Sequence, residues 1–256
     1  MYEIIQLLSR VAASRDGIRR KKRELIKGFI EIIDADFWAQ GLVYAPVGTL
    51  NPVILKGSTN LPIQLRANMI RSMCSRDKEN SDPTFSLIEE EYGISSHITI
   101  SRQDIISDKN WYELPYYKNL SCKANLDHFL FSLYPLGNNR FTSLHIHRVK
   151  GKPRFTENDA ELLHYLIANI SWMKEDQLLE SEELFITLPP RLYETLLYVL
   201  YQGWTNQEIA DSMGKSLYTI KEYMKGLQKH FSVKSRAELI AYFARVAHPR
   251  TIRPFS

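Results

Sequence analysis

The sequence predicts an α+β N-terminal domain, mostly an antiparallel sheet flanked by helices, and an all-α C-terminal domain of four helices. Three observations predict it. Apolar residues recur every three or four positions before Asp36 and again after Thr156, while the residues between carry short β-branched and aromatic runs broken by Pro and Gly. From Leu188 onward helix-capping sequences repeatedly precede apolar stripes of helical spacing. Charge also divides unevenly: Phe185 to Ser256 hold ten Lys/Arg against five Asp/Glu, whereas the preceding 184 residues hold 23 against 24. Positive charge is thus concentrated where a polyanion would be met.

At 256 residues the chain can build two cores. No apolar run approaches the roughly 18 residues of a membrane span. Met1–Gln6 has an acid at its third position and no basic-then-apolar layout of a secretory leader. Cys74 and Cys122 make no disulfide or metal framework. A reduced, cytoplasmic protein without a membrane partner is expected.

Residues 3–35 read as helical, with apolar clusters Ile4–Val11 and Leu25–Ile33. The basic run Arg19–Arg23 between them reads as the solvated start of a helix. Trp38 to Asn60 suits two strands, Leu61 to Met73 a helix, and Arg76 to Pro83 a polar loop. His97–Ile100, Asp127–Tyr134 and Phe141–Arg148 are further strands, the last two joined through Pro135–Arg140 as an antiparallel hairpin. Thr156, an N-cap with acids in the following turn, begins a long helix with Leu163, Leu166, Ile170 and Met173 at heptad-like spacing. These readings give a regulatory domain over 1–173, a helical linker over 174–187 and a C-terminal domain over 188–256. The strand pair followed by Gly151-x-Pro-x-Phe-Thr-x-x-Asp159 and a long helix resembles the end of a GAF-type sensor domain, with the related PAS layout as the alternative.

In the C-terminal region Pro189 and Pro190 suit a first helical turn, followed by Leu196, Leu197, Val199 and Leu200 and a stop at Gly203. Thr205-x-x-Glu208 is a capping box, Ile209 and Met213 form the buried face, and Gly214 can close that helix in the left-handed conformation. Ser216 caps a third helix, 217–230, with Ile220, Met224, Leu227 and Phe231 inward and Lys221, Lys225 and Lys229 on the other face. Ser235-x-x-Glu238 is a second capping box for a fourth helix. Two short helices meeting at a glycine are the form of a helix-turn-helix.

Gly203-x-Thr-Asn-x-Glu-Ile-Ala210, Ser216-x-x-Thr-Ile-Lys221 and Val233-Lys-Ser-Arg236 with Glu238 resemble the LuxR-type DNA-binding domain, also called GerE-like and shared with NarL-type response regulators. Tyr223 departs from that family's usual His, Ser232 from its usual Gly, and the first helix aligns with a one-residue slip near Pro189–Arg191. The resemblance implies a bacterial-type transcription regulator that reads duplex DNA through Lys221, Glu222 and Lys225. Lysine can donate to guanine O6/N7 and glutamate can accept from cytosine N4. Thr205, Asn206, Thr219, Lys229, Lys234 and Arg236 are the phosphate candidates, through hydroxyls, helix N-termini and charge. A homodimer is expected, since one such module covers a half-site, with the long helix after Thr156, together with the first helix, as its seam.

Such proteins pair DNA binding with an input. A phosphoacceptor receiver is not expected, because Asp34 and Asp36 follow a helical pattern without subsequent α/β alternation. An acyl-homoserine-lactone input is disfavoured, because Asp82-Pro83 sits in a polar loop and the aromatic stretch Trp111–Tyr117 lies downstream of it. Another small molecule, or a protein, acting on the GAF-like domain remains, with Trp38, Tyr44, Trp111, Tyr116, Tyr117 and Phe131 as pocket candidates or ordinary core. His145 and His147 share a strand face; lacking a third ligand they read as a solvated or hydrogen-bonded pair rather than a metal site. No nucleophile–base arrangement or phosphate loop is present, so neither an enzyme nor a cofactor is expected. A helix-turn-helix serving protein interaction is the alternative function, and a metal enzyme using the two histidines the weaker one.

Overall fold

A computed structural model describes residues 2–45, 53–73, 82–174 and 188–246. Two compact units divide the chain. The larger opens with α1 (Tyr2–Ala13) and α2 (Ile18–Ile32), which break the expected helical stretch at Ser14–Gly17 and pack as a hairpin. Gly28 permits their close approach, for a Cβ there would lie 2.4 Å from Leu7 Cδ1. Strands β1 (Phe37–Tyr44), β2 (Val53–Thr59), β3 (Ile98–Ser101), β4 (Leu126–Gly137) and β5 (Arg140–Val149) form one antiparallel sheet in the order β2-β1-β5-β4-β3. The β4–β5 connection is tighter than the six-residue turn expected from sequence. Only Asn138 and Asn139 separate the strands, both at positive φ (52° and 57°), a conformation asparagine tolerates in two-residue hairpins.

Alternation across the sheet divides the core in two. On one face Trp38, Leu130, Leu144 and Ile146 meet the apolar stripes of α1, α2 and α7 (Glu157–Asn169). On the other, Phe129, Phe131, Leu133 and Phe141 meet Phe85 and Ile88 of α4 (Thr84–Tyr92) and Trp111 of α6 (Asp108–Glu113), with α5 (Arg102–Ile105) between those helices in sequence. Helices α4, α5 and α6, and the π-helical turn Tyr117–Ser121, are additions to the sequence reading. Helices of four and six residues are too short to show a period and rest on local caps, such as Ser107 accepting from the Asn110 amide at 3.3 Å.

The helix after Thr156 begins as expected, with a capping box between Thr156 and Asp159. It is not continuous to Met173, however. Ile170 is extended (φ −99°, ψ 100°), and a separate turn, α8 (Ser171–Lys174), follows. Leu163, Leu166 and Met173 are buried in this unit's own core, which removes them from the expected dimer seam. The predicted linker 174–187 falls outside the described residues from 175 on.

Arg148 closes this unit. Only 5% exposed, it donates to the carbonyls of Ile33, Asp34, Pro153 and Arg154, approaches Asp159 at 3.5 Å and lies 4.0 Å over the Phe155 ring. One guanidinium therefore ties the end of α2, strand β5 and the entry to α7, donating to four carbonyls of which that of Ile33 is buried and the others are part-buried.

The second unit takes in Ile63–Cys74 together with Gln177–Ser256. Helix α3 (Ile63–Met73), expected in the domain spanning 1–173, thus joins the C-terminal unit. Helical periodicity says that a face is buried, not which core buries it. There α3 packs against α9 (Pro190–Leu197) and the π-helical turn Tyr198–Gln202, and Gln202 Nε2 donates to the Ile63 carbonyl at 3.2 Å. Helices α10 (Asn206–Met213), α11 (Leu217–His230) and α12 (Arg236–Val246) complete the unit around Leu196, Ile209, Ile220, Leu227 and Leu239.

Arg148→Met keeps the aliphatic stem but removes the donor shared by the Ile33, Pro153 and Arg154 carbonyls, while Lys152 still donates to that of Asp34. It should destabilise the N-terminal unit by about 3 kcal/mol or more. Urea denaturation followed by Trp fluorescence would register this, and a loss under about 1 kcal/mol would contradict the role assigned to Arg148.

Candidate functional site

The α10–α11 pair is held by local chemistry. Thr205 Oγ1 accepts from the Glu208 amide at 3.3 Å, while the Glu208 carboxylate accepts from the Thr205 amide at 2.7 Å and hydroxyl at 2.8 Å. These hydrogen bonds from Thr205 hold the Glu208 carboxyl below its ordinary range. Gly214 closes α10 in the left-handed conformation (φ 60°, ψ 43°), with the Lys215 amide donating back to the Ala210 carbonyl at 2.9 Å. Ser216 then caps α11, accepting from the Thr219 amide at 3.1 Å.

Along α11, Ile220, Met224 and Leu227 are buried and Phe231 follows them inward, so the opposite face is fixed outward. Tyr218, Lys221, Glu222, Lys225 and Lys229 form that exposed stripe. Lys225 Nζ donates to Glu222 Oε1 at 2.7 Å, and this hydrogen bond raises the Lys225 pKa. Both groups are exposed, so the pair is weak and easily exchanged for other partners. Fourteen residues of helix span about 21 Å. That is enough to lie along a major groove about 12 Å wide with its stripe toward the base edges.

The phosphate candidates divide. Lys229 and Lys234 are exposed. Thr205 and Thr219 stand at the N-terminal ends of α10 and α11, each already engaged in its cap. Arg236 is turned inward: its guanidinium donates to the Trp204 carbonyl and to Asn206 Oδ1 at 3.1 Å, pinning the start of α12 to the start of α10. Burial lowers its pKa. The second capping box forms by half. Ser235 Oγ accepts from the Glu238 amide at 3.1 Å, but the Glu238 carboxylate accepts from the amide of Lys234 at 2.8 Å. Ser232, where the resembled family has Gly, lies at φ 54°.

The six pocket candidates do not form one site. Trp38 and Tyr44 have the same strand parity, pairing with Ile146 and Arg140, and Trp38 is buried in the helix-side core on the face opposite His145. One residue of register separates the faces. Trp111, Tyr117 and Phe131 lie in the other core, with Tyr116 packed against it. There a cavity of about 30 Å³, room for roughly two waters, is walled by Trp111, Tyr116 and Phe129. Asp82, Thr84, Ser121, Asp127, His145 and His147 supply its polar groups. Asp127 and Phe129 went unmarked in the sequence reading. For Phe129 the signal was parity: it pairs with His147, and Phe131 with His145, so these residues of β4 and β5 share this face; Asp127 sits at the register shift between Leu126 and His128, where parity does not extend.

In the cavity Tyr116 Oη donates to Asp82 Oδ2 at 3.0 Å, and Thr84 donates to Asp82 Oδ1 through its hydroxyl at 2.6 Å and its amide at 2.9 Å. Burial first, then the Asp82 charge, pushes the Tyr116 phenol well above its ordinary range. Burial lowers His145 to about 4 and His147 to about 3, so both imidazoles are neutral at pH 7. Among the described residues no group of three His, Cys, Asp or Glu converges as metal ligands would, and no helix is long and apolar enough to cross a membrane.

Residues 194–243 match the family model described as GerE, bacterial regulatory proteins of the luxR family; this segment is a LuxR-type helix-turn-helix domain. No curated protein matches the sequence. Similar solved structures include SdiA of Escherichia coli, with 15% identity, 95% of this chain and 96% of that one covered, and a TM-score of 0.38. SdiA in complex with octanoyl-rac-glycerol has 15% identity, covers 94% and 93%, and scores 0.38. The VqsR LBD domain of Pseudomonas aeruginosa has 16% identity, covers 66% of this chain and 92% of that one, and scores 0.44.

Two backbone substitutions at the ends of α10 and α11 should act in opposite directions. Gly214→Ala forces a Cβ into the left-handed region and should cost about 1–2 kcal/mol. Ser232→Gly relieves the same penalty, less the entropy of glycine, and should gain roughly 0.5–1 kcal/mol. Denaturant midpoints of the three proteins should therefore rank Ser232→Gly above the parent and Gly214→Ala below it.

Acid should destabilise the N-terminal unit through its histidines. His145 and His147 bind fewer protons folded, at about 4 and about 3, than unfolded at 6.5. Their contribution is complete above pH 6.5, falls as pH drops toward 4, and levels off below the folded values. Melting temperature measured between pH 7 and pH 4 should fall less steeply in a His145→Gln/His147→Gln double variant than in the parent.

Proposed function

We propose that the chain is a transcription regulator that binds duplex DNA as a homodimer, with the N-terminal unit receiving the regulating signal. The observation that carries this is the stripe Lys221, Glu222, Lys225 and Lys229, exposed along α11 inside the segment that matches the luxR-family model. Its buried counterpart fixes the stripe's direction, and the caps fix the helix ends. Lys221, Glu222 and Lys225 are assigned to base edges; Lys229 and Lys234, with the helix ends at Thr205, Asn206 and Thr219, are assigned to phosphates. Arg236 is assigned mainly to positioning, because two of its nitrogens already hold α12 to the Trp204–Asn206 segment.

The signal is assigned to the GAF-like N-terminal unit and its cavity between the sheet and α6. Its walls set the rings of Trp111, Tyr116 and Phe129 among carboxylate, imidazole and hydroxyl groups that can orient a ligand. A cytoplasmic setting follows from the function itself. No enzymatic step is assigned to the chain.

Replacing Lys221 and Lys225 by Ala together should weaken duplex binding at least about tenfold and reduce the slope of log K against log salt by up to about two. Fluorescence anisotropy of a labelled duplex over a salt series measures both. A parent protein without salt-dependent duplex binding would favour the protein-interaction reading of the helix-turn-helix.

A further inference from the structure

The cavity beside α6 has a chemical bias that its sensing role does not by itself require. Among the described residues its lining includes two carboxylates, Asp82 and Asp127, and no lysine or arginine. Arg102 is fully buried against the rings of Trp111 and Tyr112, and its guanidinium is held by Asp108 at 2.5 Å. The two imidazoles facing the cavity carry no charge at neutral pH. An anion entering here would meet net negative charge.

Among the described residues, two buried polar atoms of the lining have no hydrogen-bond partner. Asp127 is 7% exposed; its Oδ2 accepts from Tyr112 Oη at 3.1 Å, but Oδ1 accepts from nothing. Trp111 is 3% exposed, and its Nε1 donates to nothing. One orphan is an anionic acceptor and the other a neutral donor. Buried groups of this kind cost stability unless something satisfies them. Around them stand the aromatic rings of Trp111, Tyr116 and Phe129, a residue type whose faces attract cations.

We propose that this cavity binds a small organic ammonium ion that carries one hydroxyl or carbonyl oxygen. The ammonium donates to Asp127 Oδ1 and is attracted by the Asp82 charge; the ligand's oxygen accepts from Trp111 Nε1–H. The cavity's 30 Å³ limits the ligand to a few heavy atoms unless walls move. The inference rests on the N-terminal unit being the sensor, and it names the class of molecule sensed.

Calorimetric titration of the full chain in phosphate buffer tests it, with ethanolamine as probe and ethylene glycol and glycolate as neutral and anionic isosteres. Ethanolamine should bind at least about tenfold more tightly than either isostere, and Asp127→Asn should remove about tenfold or more of its affinity. Asp82→Asn, at a less buried position, should also weaken ethanolamine and serves if Asp127→Asn does not fold, as judged by circular dichroism. No ethanolamine binding, equal binding of ethylene glycol, or affinity unchanged in folded carboxylate variants overturns the proposal. Duplex binding is measured separately on the same samples. A parent that binds duplex but not ethanolamine defeats this inference alone, whereas one that binds ethanolamine but no duplex supports the site and defeats the regulator reading.

Discussion

The C-terminal unit depends on one backbone conformation, the left-handed turn at Gly214. It ends α10, returns the Lys215 amide to the Ala210 carbonyl, and delivers the chain two residues later to Ser216, which caps α11. A side chain at this position would strain the turn, and a different turn would change the angle at which α11 leaves α10. The buried stripe Ile220–Met224–Leu227 then sets the rotation of α11, and through it which side chains face outward. Arg236 adds a second constraint by holding α12 to the Trp204–Asn206 segment. Position and rotation of the lysine stripe thus follow from a glycine, two caps and three apolar residues, all close in sequence.

That closeness is why this unit was largely legible before folding. Capping boxes, a left-handed glycine and an i, i+4 lysine series act within a few residues, so the sequence states them directly. What was missed here depended on neighbours farther away. The hydrogen bond from Arg236 to Asn206 spans 30 positions. Helix α3 carries no sign of which core it joins. The Ser235–Glu238 box slipped by one residue at its carboxylate end, a choice between adjacent amides that spacing alone does not make.

The N-terminal unit was legible as strands and helices but less so as a site. Parity along β1 separates Trp38 from His145, so a set of aromatic residues chosen by type fell on both faces of the sheet. The same parity, applied to β4 and β5, brings Phe129 and Phe131 opposite His147 and His145. Asp127, at the start of β4, escaped notice because a single acid near a strand end is ordinary until its surroundings are known. The break at Ile170 is likewise tertiary: Lys174 Nζ turns back to the Ala168 carbonyl at 2.6 Å, and Met173 enters the core from a new direction. Arg148 joins these parts through carbonyls far apart in sequence, a contact no motif announces.

The proposed placement of α11 in the major groove is open to a direct test. Dimethyl sulfate footprinting tests it directly, because guanine N7 faces the major groove and adenine N3 the minor. On a duplex selected from genomic fragments by the full-length protein, the account predicts protection of guanine N7 in two patches about one helical turn apart, as two half-sites of a dimer require. Unprotected guanines, or protection confined to adenine N3, would contradict it.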